Sequence, residues 1–145
     1  MYFTPRGKDQ RRQKIMDFST AQRLLEILVS QQEIKVFFEQ VGIRRIGIAP
    51  FNYFGQCMVR MLKDSDIEIK CFMDRRFEKF NNSDYFGIPV KNYGSLKNDD
   101  IDAVIVASNF YCNDIMDSLI EHNISIEKII GINTVLYGME RLKAL

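Results

Sequence analysis

Apolar residues near the amino terminus recur at helical spacing, whereas those after Gly42 come in short continuous runs, so a helical lead-in gives way to alternating strands and helices. Ser19-Thr20-Ala21-Gln22 has the form of a capping box, and Ala21, Leu24, Leu25 and Leu28 behind it share one helical face, which predicts a helix over 20–29. Ser30-Gln31-Gln32-Glu33 repeats the pattern. Ile34, Phe37, Phe38 and Val41 form a second face that breaks phase with the first, and Gly42 supplies a C-cap, so two short helices are expected rather than one long one. Their apolar faces need a partner surface, either the outside of this domain's own sheet or a second copy of the chain.

From Gly42 onward the pattern is that of α/β units. Arg45-Ile46-Gly47-Ile48-Ala49 predicts a strand, Pro50 to Phe54 a loop, and Gly55 to Leu62 a helix with Cys57, Met58, Met61 and Leu62 inward. Ile67 to Met73 predicts the next strand, with Asp74-Arg75-Arg76 at its carboxyl end. A polar stretch follows, then Gly87-Ile88-Pro89-Val90, where proline argues for an edge element. Ile101 to Ala107 is a nearly unbroken apolar run, as a strand covered on both faces should be, and belongs in the middle of the sheet. Asn113 is placed to cap a helix with Ile115, Met116, Leu119 and Ile120 inward, Asn123 to end it, and Ile126 to Ile132 to form a last strand before a helical tail over 133–143. Alternation of this kind implies an α/β fold: a parallel sheet of about five strands with helices on both faces, preceded by two short amino-terminal helices.

Composition sharpens this picture. The chain has 145 residues, 46% of them hydrophobic and 27% charged, enough for one packed core and too little for two. Twenty basic against 19 acidic residues leave a formal charge of +1, so no net field draws the whole molecule to nucleic acid. The exception is residues 1–16, where Arg6, Lys8, Arg11, Arg12 and Lys14 face only Asp9. Residues 1–18 are therefore expected to be a basic, solvated tail, and 19–145 one domain: a helical extension over 19–42, a core over 43–132 and a helical tail over 133–145. Cys57, Cys71 and Cys112 are odd in number and widely spaced, which suggests neither a disulfide framework nor a zinc site and points to the reducing cytoplasm. No window approaches a membrane span.

In a parallel sheet of this kind the ligand crevice lies beyond the carboxyl ends of the strands, where strand order reverses. Three segments converge there: Pro50 to Gly55, Asp74-Arg75-Arg76, and Ser108-Asn109-Phe110-Tyr111. Asp74 follows Gly55 by 19 residues, the distance at which a carboxylate meets ribose hydroxyls in dinucleotide-binding units. The glycine fingerprint is degraded, because its three places fall on Pro50, Asn52 and Gly55, and only the glycine for close helix–strand packing is present. Pro50 lacks an N–H, and Asn52 carries a side chain where backbone should approach phosphate. Arg75 and Arg76 have the fork geometry for phosphate oxygens, and Ser108 and Asn109 the groups to hydrogen-bond a ligand. Candidate binding residues are thus Asn52, Gly55, Asp74, Arg75, Ser108 and Asn109. Against this stands the simpler reading that Gly55 serves packing and Asp74 is a strand-end carboxylate.

The strand-loop-helix over 44–63, the Met73-Asp74 strand end, the Gly87-Ile88-Pro89-Val90 element and the run Asp102 to Ala107, in that order, resemble the Rossmann-like nucleotide-sugar-binding domains of bacterial surface-polysaccharide biosynthesis. These include the amino-terminal domains of sugar-nucleotide acetyltransferases and the leading domain of membrane-linked nucleotide-sugar epimerases and dehydratases. The resemblance covers about 44–132. It implies a Rossmann-like core, a nucleotide or nucleotide sugar (or NAD) as ligand, contacts from Gly55 and Asp74, and a polysaccharide-biosynthesis enzyme as partner.

No acid/base machinery accompanies the crevice. Tyr93 and Lys97 have YxxxK spacing, but in a glycine-containing connector rather than on a long helix. His122 sits at a helix carboxyl end, where a cation suits the dipole, and Cys112 has no base partner. Two readings follow: a non-catalytic module for a nucleotide or nucleotide sugar, or a degenerate domain that assembles through the 20–41 helices, for instance as a homodimer. An NAD(P)-dependent sugar-nucleotide enzyme fragment is a third.

Overall fold

The computed structural model describes residues 31–80, 84–108 and 110–135. The helix expected over 20–29, the basic tail, Asn109 and the tail beyond residue 135 lie outside them. The described elements are α1 (Gln31–Val41), β1 (Arg45–Ala49), α2 (Tyr53–Leu62), β2 (Glu68–Met73), β3 (Asp84–Tyr85), β4 (Ile88–Lys91), β5 (Ala103–Val106), α3 (Cys112–Glu121) and β6 (Ile129–Gly131). They build a mixed α/β structure around a six-stranded sheet of order β3-β4-β2-β1-β5-β6. All neighbours pair in parallel except the antiparallel β3–β4 pair.

The sheet has six strands where about five were expected: five run parallel, and the sixth is the two-residue β3. It comes from a tight hairpin in which Phe86 (φ 53) and Gly87 (φ 80) both take left-handed backbone between the paired Tyr85 and Ile88. The edge position expected at Pro89 is therefore taken by β3, although so short a partner pairs only Ile88 and Pro89 and leaves Val90 and Lys91 unpaired on that side. The run over 101–107 pairs on both sides, with β1 and β6. The expected strand over 126–132 instead starts as a 3-10 turn, Ile126–Lys128, before β6.

Two apolar layers cover the two faces. Ile46, Ile48, Phe72, Ala103 and Ile105 pack with Phe38 of α1, with α2, and with Ile132 and Val135. Ala49, Cys71, Met73, Val104 and Val106 pack with Tyr93 and with Ile115 and Leu119 of α3. The alternation along β1 and β5 is the period of two that sends successive side chains to opposite faces.

The helix ends have visible causes. After α1, Gly42 takes φ 73; its N–H donates to Glu39 O, and that of Ile43 donates to Phe38 O, a Schellman closure sealed by the buried Phe38 and Ile43. Asn123 (φ 67) closes α3 in the same way, with its N–H donating to Ile120 O and that of Ile124 to Leu119 O. His122 Nδ1 lies 2.7 Å from Ser118 O, so the ring nitrogen donates to a last-turn carbonyl, the capping position expected for it. Tyr111, not Asn113, precedes the first residue of α3, so Asn113 sits inside the first turn.

Candidate functional site

Strand order reverses between β1 and β5, so the loops leaving their carboxyl ends diverge from that point. The loop after β1 is organised by Asn52. Its Oδ1 accepts from Gly55 N at 2.8 Å, capping α2, which starts at Tyr53 rather than at Gly55. Its Nδ2 donates to Ala107 O at 2.6 Å, tying this loop to the end of β5. Ala107 N in turn donates to Ala49 O at 2.7 Å. Gly55 is buried in α2, where an added Cβ would lie 3.0 Å from Ile48 Cγ2, 3.1 Å from Phe72 Cε1 and 3.1 Å from Pro50 O. It fills the close-packing place of the glycine fingerprint.

The loop after β2 is organised by Asp74, whose side chain is 1% exposed. Its Oδ1 accepts from Arg76 N (2.7 Å) and Arg76 Nε (3.1 Å), and its Oδ2 accepts from Phe51 N (3.0 Å) and Arg76 Nη2 (2.9 Å). The carboxylate thus accepts four hydrogen bonds, matching its lone-pair capacity, and joins the loops after β1 and β2. The Arg76 side chain is 41% exposed and its guanidinium lies 5.4 Å from the Phe80 ring centroid. Phe51 stands edge-on to both Phe72 (4.8 Å) and Phe80 (4.9 Å), which gives this corner an aromatic floor. Arg75, the arginine singled out from sequence, is exposed beside it.

After β5, Ser108 is buried, and its Oγ accepts from Tyr111 N at 3.1 Å, turning the chain into α3. The Phe110 and Tyr111 rings meet edge to face at 4.9 Å. The structure therefore brings Asn52, Gly55, Asp74 and Ser108 to one end of the sheet; Asn109 lies outside the described residues. Sequence reasoning missed Phe51, whose backbone N–H binds Asp74, and the fork between Asp74 and Arg76. The Asp-x-Arg spacing at a strand end was the available signal.

The loop does not fit a dinucleotide pyrophosphate in the manner of a glycine-rich turn. Pro50 has no N–H, and Gly55 N–H is already taken by Asn52 Oδ1. Tyr93 is buried in the α3-side core and Lys97 is exposed, so the YxxxK spacing builds no acid/base pair in the crevice. Among the described residues no cluster of His, Cys, Asp or Glu could hold a metal ion, and no helix is long and apolar enough to cross a membrane. No family model, curated protein or solved structure matches the chain.

Two consequences are measurable. Asn52→Ala removes the α2 cap and the tie to Ala107 together, and is expected to cost about 1–2 kcal/mol, read as a lower urea midpoint at unchanged slope. The three cysteines are free thiols. Burial pushes the Cys71 thiol up to about 11 and raises that of the half-buried Cys112. A raised value keeps the folded thiol protonated and unreactive at pH 8, so iodoacetamide should label Cys112 slowly and Cys71 only on unfolding, each site read by peptide mass spectrometry.

Proposed function

We propose that the chain is a non-catalytic, Rossmann-like module that binds a nucleotide or nucleotide sugar beyond the carboxyl ends of β1, β2 and β5, in the service of bacterial surface-polysaccharide or sugar-nucleotide metabolism. The observation that carries this reading is the convergence of Asn52, the Asp74–Arg76 fork and Ser108 where strand order reverses, the place where open parallel sheets bind ligands. In this reading Asp74 is a positioning residue. It holds the half-exposed Arg76 guanidinium, which meets ligand phosphate, a task for which a planar fork suits better than a point charge. The resemblance of the 44–132 segment to nucleotide-sugar-binding domains supports the ligand class.

A second reading, a ligand-free scaffold used in assembly, is favoured by one observation: Asn52 and Asp74 already satisfy the groups around them. A thermal-shift panel of NAD, NADP, coenzyme A and UDP-, GDP- and CMP-sugars separates the two. A ligand at about 100 times its Kd adds about 2.7 kcal/mol and raises the midpoint visibly. A shift with one nucleotide-sugar class, lost in Arg76→Ala, supports the binding module; no shift at millimolar ligand supports the scaffold.

A further inference from the structure

The turn after β2 folds an aromatic ring against the arginine of the candidate site. Phe77 N donates to Asp74 O at 3.1 Å and Lys79 N donates to Arg76 O at 2.8 Å, successive tight turns that make a 3-10 segment of Phe77–Phe80. They return the chain on itself, so that the Phe80 ring centroid lies 5.4 Å from the Arg76 guanidinium. A contact of this kind suits arginine, whose planar group stacks on an aromatic face, better than lysine.

Asp74, Arg76, Phe80 and Phe51 close a circuit. The Asp74 carboxylate holds one edge of the guanidinium through Nε (3.1 Å) and Nη2 (2.9 Å). The Phe80 ring that lies against the same guanidinium is met edge-on by Phe51 at 4.9 Å, and Phe51 N donates to Asp74 Oδ2 at 3.0 Å, which returns to the starting carboxylate. Phe51 is itself anchored by the fully buried Phe72, 4.8 Å away. The two constraints on Arg76 do different work. Hydrogen bonds to a carboxylate tolerate a broad range of directions, so the fork fixes which edge is held and leaves the plane able to swing. A ring against the guanidinium stops that swing. Without it, an arginine whose side chain is 41% exposed has to be ordered by each anion it binds, at a cost in entropy.

We propose that Phe80 is a positioning residue: its ring fixes the plane of the guanidinium that Asp74 holds by the edge, so that Arg76 stands in one orientation before an anionic group arrives. That this group is the phosphate of a nucleotide sugar rests on the function proposed above. Preorganisation of this kind contributes affinity by removing an ordering cost, and one immobilised side chain corresponds to about tenfold in Kd.

The test uses the full-length, isotopically labelled protein with its Phe80→Leu and Phe80→Tyr variants and reads two quantities. One is hydrogen exchange at Arg76 Nε without ligand; the other is the Kd for UDP-, GDP- and CMP-sugars from titration of the amide spectrum. Phe80 is half-buried, so leucine is a mild change, and the Phe51 and Arg76 backbone amides report whether the Asp74 corner is intact. With both amides in place, Phe80→Leu is expected to speed Nε exchange about tenfold and to weaken the sugar that binds the wild type about tenfold. Phe80→Tyr keeps the ring and is expected to match the wild type in both. Unchanged Nε exchange in Phe80→Leu overturns the proposal, whichever sugars bind. Faster exchange with an unchanged Kd overturns it too, and so does loss of the two amide signals, which would make Phe80 a packing residue of the loop. Faster exchange in a protein whose wild type binds none of the three sugars overturns the nucleotide-sugar reading alone and upholds the positioning.

Discussion

Asp74→Ala is expected to lower stability by about 3 kcal/mol, or roughly 10 °C in midpoint. The side chain is 1% exposed and holds four donors: two backbone N–H groups, from Phe51 and Arg76, and two guanidinium nitrogens of Arg76. Truncation leaves the Phe51 and Arg76 N–H groups without this acceptor, and a buried orphaned donor costs about 1–3 kcal/mol by itself. Because Arg76 is 41% exposed, water recovers part of its loss, which keeps the figure below that of a fully buried pair. Asp74→Asn, which keeps an acceptor oxygen for Phe51 but loses the charge that pairs Arg76, should fall between wild type and alanine. Urea titration of the three proteins checks the order. Equal stability would mean that the carboxylate braces nothing, and would return it to the simple role of a ribose acceptor.

Gly55→Val should cost about 3 kcal/mol, and Gly55→Ala about 1–2 kcal/mol in spite of alanine's better helix propensity. The new Cβ meets Ile48 and Phe72, both fully buried, and the backbone oxygen of Pro50, at 3.0–3.1 Å. Two of these neighbours sit in a packed core and the third is main chain, so none yields cheaply. A rise in the alanine variant's urea midpoint would show instead that α2 can retreat from the sheet, and would remove the packing explanation for glycine at this place.

Much of the architecture was readable because its signals are local. The continuous runs of β1 and β5 announce buried parallel strands, the apolar positions from Ile67 to Met73 mark β2 between the charged Glu68 and Lys70, and Gly42 and Asn123 end their helices as left-handed caps. The two-residue β3 has no period to detect, and its hairpin places Phe86 where asparagine or glycine is the expected signal. The register shift in β2 that leaves Lys70 as an extra residue is equally silent, since only pairing with β1 defines it. In the candidate site, spacing from Gly55 located Asp74, but the fork to Arg76 depends on the turn between Asp74 and Phe77, which spacing does not specify. The same limit applies to Asn52. Its helix-capping chemistry is written in its residue type, whereas its bond to Ala107 O joins positions 55 residues apart.

The central claim is that a nucleotide sugar binds where strand order reverses. Amide chemical-shift mapping of the isotopically labelled protein with UDP-, GDP- and CMP-sugars tests it most directly, because each amide reports its own location. The account predicts saturable shifts at Asn52, Gly55, Arg76 and Ser108 with one of the three, abolished by Arg76→Ala, whose ligand-free spectrum changes only around the Asp74–Arg76 corner. No shift at millimolar ligand, or shifts confined to residues 59–69, would contradict it.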